Sequence, residues 1–155
     1  MAKRVLVING PNLNMLGIRE KEIYGGSSLE MIQEDMIELA QHSGMEVEFF
    51  QSNHEGELVD RIQEAYRQEI QLLIVNAGAL THYSIALHDA LKAVALPVIE
   101  VHMSNIFKRE PFRHQSLISP VSVGGIFGFG ALSYRLAIVA AAEILLECEN
   151  DPAES

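Results

Sequence analysis

Residues 4–14 read Arg4-Val5-Leu6-Val7-Ile8-Asn9-Gly10-Pro11-Asn12-Leu13-Asn14, an apolar run that passes directly into a polar loop. The run is rich in Val, Leu and Ile and has no polar alternation, which predicts a strand covered on both faces. The loop continues to residue 25 and carries two amides, Asn12 and Asn14, one guanidinium, Arg19, and one phenol, Tyr24. A loop of this chemistry after a buried strand indicates a site rather than a plain connector.

The rest of the chain repeats this alternation of apolar runs with amphipathic ones. Strands are predicted over 4–9, 46–51, 71–77, 97–103 and 121–127, and helices over about 28–42, 55–69, 83–95 and 131–147. Strict alternation implies βαβ units and a parallel sheet covered on both sides. We therefore predict an α/β fold, a flavodoxin-like doubly wound five-stranded parallel sheet. The 155 residues suit one domain over 1–155, with a frayed acidic tail over about 148–155.

Charge and composition favour a small-molecule partner. The net charge of −10 repels phosphate backbones and anionic lipid surfaces, so we expect neither nucleic acid nor membranes as partners. No apolar run approaches the roughly 20 residues of a bilayer span, and the first residues lack the pattern of a signal peptide. The one cysteine, Cys148, has no internal disulfide partner. These features predict a cytoplasmic protein.

Polar residues gather where the predicted strands end, which is where ligands bind in a doubly wound sheet. Strand one ends at Asn9, strand three runs into 76–82, and strand four runs through 100–105. Glu100 and His102 are two positions apart in a strand, so they point to the same face. A carboxylate there can orient the imidazole and hold it protonated for use as an acid.

A short basic run with aromatic residues, 107–114, follows strand four. In an acidic protein it fits a solvated surface loop or a local anion clamp, and we favour the clamp. Arginine offers a planar fork of donors to carboxylates and hydroxyls. Arg113, and Arg109 as a second candidate, therefore suit a polyhydroxylated acid.

Several familiar motifs are missing from the sequence. It has no phosphate-binding loop with Gly-Lys-Ser/Thr, no His-Glu-x-x-His, no paired cysteines and no Gly-x-Ser-x-Gly. ATP, zinc and acyl-serine chemistry are therefore disfavoured. Residues 128–133, Gly-Phe-Gly-Ala-Leu-Ser, imitate a dinucleotide fingerprint, but we interpret them as tight packing between a strand and a helix.

Four separated segments of the chain resemble the type II 3-dehydroquinate dehydratases over nearly the whole length. They are residues 9–14 with 16–19 and 24–25, residues 76–82, residues 100–106, and residues 109–113. The resemblance implies a cofactor-free, metal-free hydro-lyase of the shikimate pathway, which serves aromatic amino acid biosynthesis. Such an enzyme removes water from 3-dehydroquinate through an enolate to give 3-dehydroshikimate.

The chain departs from the family at three positions. Ala77 and Lys21 stand where the family usually has Pro, and Leu80 stands where it usually has Tyr. These changes concern loop rigidity and packing rather than a catalytic side chain. They bear on rate and loop order more than on reaction type.

The resemblance also implies catalytic roles. Tyr24 is the base that accepts the proton, and because a phenol titrates near about 10, it needs a cation to favour its ionised form. Arg19 is the first candidate for that cation and Arg113 the second. Asn12 positions a water or donates to the enolate oxygen. His102, oriented by Glu100, is the acid that protonates the leaving hydroxyl.

Substrate binding and assembly follow from the same resemblance. Asn76 and the backbone amides of Met103 and Ser104 hold the carboxylate, while His82, Arg113 and Asp89 hold ring hydroxyls. Family members supply the aspartate from a neighbouring subunit, in a homododecamer of four trimers. Helix 83–95 is apolar on most of its surface, which fits such an interface. The loop over about 18–25 is expected to close over the substrate as a lid.

Two other classes of protein share the predicted fold. A mononucleotide-binding module predicts a hydroxyl-rich phosphate loop after strand one, where this chain has amides. A receiver-like or catalytically dead domain predicts acidic residues at the ends of strands one and three, where this chain has Asn9 and Asn76. Neither class explains Tyr24, Arg19 and His102 together.

Overall fold

A computed structural model describes residues 2–18, 20–24 and 26–151, without the side chains of Lys21 and Tyr24. Its centre is a five-stranded parallel sheet in the order β2-β1-β3-β4-β5. The strands are β1 (Lys3–Asn9), β2 (Met45–Gln51), β3 (Leu72–Asn76), β4 (Val98–His102) and β5 (Gly124–Phe127). This strand order confirms the predicted flavodoxin-like sheet.

Five helices accompany the sheet, and four of them cover its two faces in pairs. The helices are α1 (Lys21–Tyr24), α2 (Leu29–His42), α3 (Glu55–Arg67), α4 (Ile85–Val94) and α5 (Leu132–Asn150). One core cluster joins α2 and α5 to the sheet, and the other joins α3 and α4. Successive side chains of β1 pack alternately into the two clusters. Val5 and Val7 belong to the first and Leu6 and Ile8 to the second, all fully buried. The apolar run at the start of the chain is therefore the centre of both cores.

Hydroxyl caps begin two of the helices. Ser28 caps α2 by accepting the N–H of Met31 at 3.2 Å. Ser84 caps α4 by accepting the N–H of Leu87 at 3.0 Å. Each hydroxyl satisfies a backbone donor that the first helical turn leaves unpaired.

Four sequence-based expectations need correction. The fifth strand begins at Gly124 rather than 121, because Pro120 lies in a 3-10 turn over Ser119–Val121. The strand is also not covered on both faces, since it forms an edge of the sheet and three of its four residues are exposed. Helix α5 continues to Asn150, so the predicted tail is helical over its first residues. The predicted loop before α2 contains the short helix α1.

The sheet reverses its strand order between β1 and β3, and the loops after these strands touch there. The N–H of Gly10 donates to the carbonyl of Asn76 at 2.8 Å. A Cβ on Gly10 would lie 2.4 Å from the backbone oxygen of Ala77. Gly78 adopts φ of +59°, and a Cβ on it would lie 3.0 Å from the Pro11 oxygen. Two glycines therefore permit the loops to close on each other at the switch point.

Within the part of the chain that the structure describes, no helix combines the length and apolar character needed to cross a membrane.

Substituting Gly10→Ala should lower the free energy of unfolding by about 2 kcal/mol or more, because the new methyl must displace backbone of the next loop. Gly56→Ala is the matched control, since Gly56 lies in α3 with no atom within 4 Å of an added Cβ. That variant should match the parent or gain up to about 1 kcal/mol from helix propensity. Urea denaturation measures both. Equal stabilities for the two variants would contradict the close approach.

Candidate active site

A cleft opens at the carboxyl edge of the sheet, beside the switch point. It encloses about 640 Å³ when the space open to solvent is included. Of the residues predicted for the site, the cleft is lined by Asn12, Asn76, His82, His102, Met103, Ser104 and Arg113, and Arg109 also lines it. The structure therefore brings together residues from the loops after β1, β3 and β4.

Glu100 and His102 form a buried ion pair at the end of β4. Glu100 Oε2 lies 2.7 Å from His102 Nε2, and the residues are only 4% and 7% exposed. Because Nε2 faces the carboxylate, Nδ1 is the ring nitrogen that remains for a ligand. The expected role of Glu100 in orienting His102 thus has a geometric basis.

Two hydroxyls that the sequence analysis did not identify complete the surroundings of Glu100. Ser116 Oγ donates to Glu100 Oε2 at 2.6 Å, and Ser119 Oγ donates to Oε1. Burial raises the pKa of Glu100, but the hydrogen bonds from His102, Ser116 and Ser119 outweigh burial and leave the pKa below its usual value. The carboxyl group is therefore ionised at neutral pH.

His82 stands beside His102 in the cleft with a different partner. The two rings are stacked at 19°, with centroids 6.4 Å apart. His82 Nδ1 lies 2.8 Å from the carbonyl of Gln115. Burial lowers the pKa of His82, the Gln115 carbonyl partly offsets this, and the charge of His102 lowers it further. The lowered pKa of His82 favours its neutral ring, which stands beside a His102 bonded to a carboxylate.

The amide of Asn76 is held from below by a fully buried phenol. Asn76 Nδ2 donates to Tyr134 Oη at 2.8 Å, and this hydroxyl donates to Asn9 Oδ1 at 2.6 Å. Asn76 Oδ1 accepts the N–H of Gly78 at 3.2 Å. One N–H of the Asn76 amide remains for a ligand in the cleft.

Asn12 presents its side chain at the rim of the cleft from an unusual backbone conformation. Its φ is 71°, in the left-handed region that few non-glycine residues adopt. The Asn12 N–H donates to Asn53 Oδ1 at 2.9 Å, and Gln51 Nε2 donates to the Gly10 carbonyl at 3.2 Å. Side chains at the end of β2 therefore hold the loop after β1 in place.

The arginines enter from the turns after β4. Arg109 donates to Ser104 Oγ at 3.2 Å, and Arg113 Nε donates to Glu110 Oε2 at 2.6 Å. A backbone hydrogen bond at Glu110 and the hydrogen bond from Arg113 lower the pKa of the exposed Glu110 carboxyl. The two guanidiniums of the basic run 107–114 thus reach the cleft and are partly held by protein groups.

Four predicted site residues are not placed in the lining of the cleft. Glu100 lies buried behind it, in contact with His102. Arg19 lies outside the described residues, and so does the side chain of Tyr24, whose backbone ends α1. Asp89 lies on the outer face of α4 and is exposed to solvent. The exposed side of that helix carries Ile85, Ala86 and Ala93 together with Asp89 and Lys92.

Two of the departures from the family pattern lie next to residues that line the cleft. Ala77 and Leu80 are 1% and 4% exposed and belong to the core cluster below the cleft. The third, Lys21, has no described side chain. The glycines at 128 and 130 also serve packing, since their N–H groups donate to the carbonyls of His102 and Met103 at 3.2 and 2.9 Å.

Comparisons with known proteins agree on one family. The family model for class II dehydroquinase matches residues 3–142. The 3-dehydroquinate dehydratase of Caldicellulosiruptor bescii is 59% identical over 143 residues, 92% of this chain and 99% of the relative. That of Nitratiruptor sp. is 56% identical over 146 residues, 94% and 93% of the two chains. The crystal structure of type II dehydroquinase from Butyrivibrio crossotus superposes with a TM-score of 0.88 at 48% identity, covering 90% of this chain and 97% of that one.

Tyr134→Phe should lower the free energy of unfolding by about 1 to 3 kcal/mol, because it leaves the buried groups of Asn9 and Asn76 without their shared partner. Tyr66→Phe is the control, since Tyr66 is 69% exposed, and it should change stability by less than about 0.5 kcal/mol. Chemical denaturation of both variants measures the difference. If Tyr134→Phe is as stable as Tyr66→Phe, the buried phenol does not hold these amides.

Proposed function

The chain belongs to the class II dehydroquinase family, and we propose that its cleft removes water from 3-dehydroquinate to give 3-dehydroshikimate. The enzyme is a hydro-lyase, a 3-dehydroquinate dehydratase of the shikimate pathway, as its family and its relatives of 53–59% identity indicate. The observation that carries the assignment of the cleft is the buried Glu100–His102 pair at the carboxyl edge of the sheet.

In the reaction we propose, a base removes a proton from the carbon next to the substrate ketone, and the electrons of that bond form an enolate. Collapse of the enolate expels the hydroxyl group, which takes a proton and leaves as water. His102 supplies that proton from Nδ1, because Nε2 is occupied by Glu100. Asn12, at the rim of the cleft, donates to the enolate oxygen or positions a water.

Tyr24 is the base in this proposal, with Arg19 as the cation that favours its ionised form. Both assignments come from the match between this loop and the family pattern, since Arg19 and the Tyr24 side chain lie outside the described residues. Short helix α1 presents neighbouring Glu22 and Ile23 to a second cleft together with Ser104 and Arg109. The position of Glu22 and Ile23 supports the proposal that the loop over about 18–25 closes over the substrate as a lid.

Carboxylate recognition is proposed for Asn76 and the backbone amides of Met103 and Ser104. Support comes from their common position in the cleft wall and from the N–H that Asn76 retains after binding Tyr134. His82 and Arg113 line the same cleft and are proposed to hold ring hydroxyls. Binding of substrate by Arg113 competes with its ion pair to Glu110.

Assembly completes the proposed site. No acidic side chain lines the cleft among the described residues, while Asp89 is exposed on α4. We propose a homododecamer of four trimers in which Asp89 reaches the neighbouring site. Ile85, 67% exposed on the same helix, favours burial against another chain.

Location in the cytoplasm is likewise a proposal, supported by the single cysteine.

Replacing the base tests the mechanism. Tyr24→Phe removes the ionisable oxygen and keeps the ring, so kcat should fall by at least about 100-fold while KM changes little. The measurement is the ultraviolet absorbance of the conjugated enone product. Tyr66→Phe should retain the activity of the parent enzyme, because Tyr66 is exposed on α3. Turnover near the parent value in Tyr24→Phe would remove the phenol from the reaction.

Assembly has a separate test. Light scattering should give a mass near twelve chains, and Asp89→Ala should raise KM by about tenfold or more, since a hydroxyl contact made by a charged group is lost. Asp60→Ala is the matched control, because Asp60 is an exposed carboxylate on α3, away from the cleft. A fully active monomer at assay concentration would contradict both the assembly and the shared residue.

A further inference from the structure

The carboxylate of Glu100 is held from three directions in a site from which water is nearly excluded. His102 Nε2 lies 2.7 Å from Oε2, Ser116 Oγ lies 2.6 Å from the same oxygen, and Ser119 Oγ contacts Oε1. Glu100 retains only 4% of its surface. Since a buried carboxylate without donors would take up a proton, the donors determine its charge.

The direction of the serine hydrogen bonds follows from their other partners. Ser116 Oγ accepts the backbone N–H groups of Ile118 at 3.1 Å and Ser119 at 3.0 Å. Its lone pairs are thereby used, and its own proton points to Glu100. The Ser119 hydroxyl contacts Oε1, and Glu100 is its partner among the described residues. Two hydroxyl donors favour the ionised carboxylate over the neutral acid, which would need an acceptor for its own proton.

The segment that carries these serines also holds the other histidine of the cleft. Residues 115–119, here called the strap, supply the Gln115 carbonyl to His82 Nδ1 at 2.8 Å. The N–H of Leu117 donates to the Thr81 carbonyl at 2.8 Å, which fixes the strap beside the loop after β3. One segment therefore contacts the partners of both histidines. Its Gln115 carbonyl binds His82, and its two serines bind the carboxylate that contacts His102.

We propose that Ser116 and Ser119 are positioning residues of the dehydration, which hold Glu100 as a carboxylate and thereby keep His102 protonated before each turnover. The proposal rests on the proposed function in one respect, because it takes His102 to be the acid. It adds two residues of the strap that make no contact with the substrate and act on the proton through Glu100.

The other charges around His102 make such a device necessary. His82 stacks on the ring from the loop after β3, and Arg109 and Arg113 line the same cleft from the turns after β4. His114 lies with Ser116 and Ser119 along a further cleft behind the pair. Glu110 pairs with Arg113 at the surface. The guanidiniums of Arg109 and Arg113 disfavour a further positive charge in the cleft, and the carboxylate of Glu100 is the opposing charge in direct contact with His102.

The expected effect has a definite direction. Losing a hydroxyl donor destabilises the carboxylate, so the proton that Glu100 and His102 share moves from the imidazole toward Glu100. In Ser119→Ala we therefore expect the two ring nitrogens of His102 to give chemical shifts nearer those of a neutral imidazole at neutral pH. With less of the protonated acid present, kcat should fall about tenfold at that pH, with KM within about twofold.

The experiment compares four variants of the full chain. Ser119→Ala deletes the hydroxyl, whereas Ser119→Thr and Ser119→Val add the same bulk and differ only in the hydroxyl. Ser122→Ala is the control, because Ser122 Oγ donates to the Ile118 carbonyl at 2.8 Å, next to the strap, without contacting Glu100. Nitrogen-15 chemical shifts measured by nuclear magnetic resonance on histidine-labelled protein follow the His102 ring, assigned by its loss in His102→Gln, and kcat and KM are measured at the same pH.

The proposal predicts parent-like nitrogen shifts of His102 in Ser119→Thr and Ser122→Ala, and shifts nearer those of a neutral ring in Ser119→Ala and Ser119→Val. It is overturned if these shifts are alike in the parent and Ser119→Ala, even where kcat falls, or if Thr and Val behave alike. Absence of dehydratase activity in the parent enzyme would refute the proposed function instead. The nitrogen shifts would still decide whether the strap controls the charge of Glu100.

Discussion

The hydroxyl of Tyr134 is the interaction on which the arrangement of this cleft depends. It lies fully buried between the amides of Asn9 and Asn76, at the ends of the two strands where the sheet reverses its order. Through this one group α5 fixes β1 and β3 relative to each other and sets the direction of the Asn76 amide. Hydrogen bonding in the core is directional, whereas apolar contact is not, so a buried phenol of this kind specifies geometry that packing alone leaves open.

Above this network, the loops at the carboxyl edge are held by side chains that do not reach the cleft. Asn53 accepts the N–H of Asn12 and so supports its left-handed backbone, and the strap supports Glu100 and His82. The site is thus built in two layers. An inner layer presents groups to the cleft, and an outer layer of amides, hydroxyls and carbonyls fixes their orientation. Such support limits the motion of the reacting groups, which is what preorganised catalysis requires.

The sequence predicted the sheet well because its signals are local. The strand β1 appears as an apolar run, and Ser28 and Ser84 mark helix starts. The spacing of Glu100 and His102 also predicted their contact, since strand geometry determines which residues share a face. Partners distant in sequence were not predictable in this way. Ser116 and Ser119 lie 16 and 19 residues from Glu100 on an irregular segment, and no periodicity connects them. Tyr134, 125 residues from Asn9, was hidden inside an apolar helix pattern.

The arrangement of charged side chains around the cleft follows from the charge of the protein and of its substrate. The protein carries a net charge of −10, which opposes the approach of an anionic substrate. The cleft gathers Arg109, Arg113 and two histidines at one edge of the sheet, and it places Glu100 behind them rather than in the path of the substrate. A carboxylate in that position can charge an imidazole without repelling the ligand, since its own oxygens are occupied by protein donors. Burial of Glu100 therefore keeps a negative charge in contact with His102 while the surface that faces the ligand keeps its two guanidiniums.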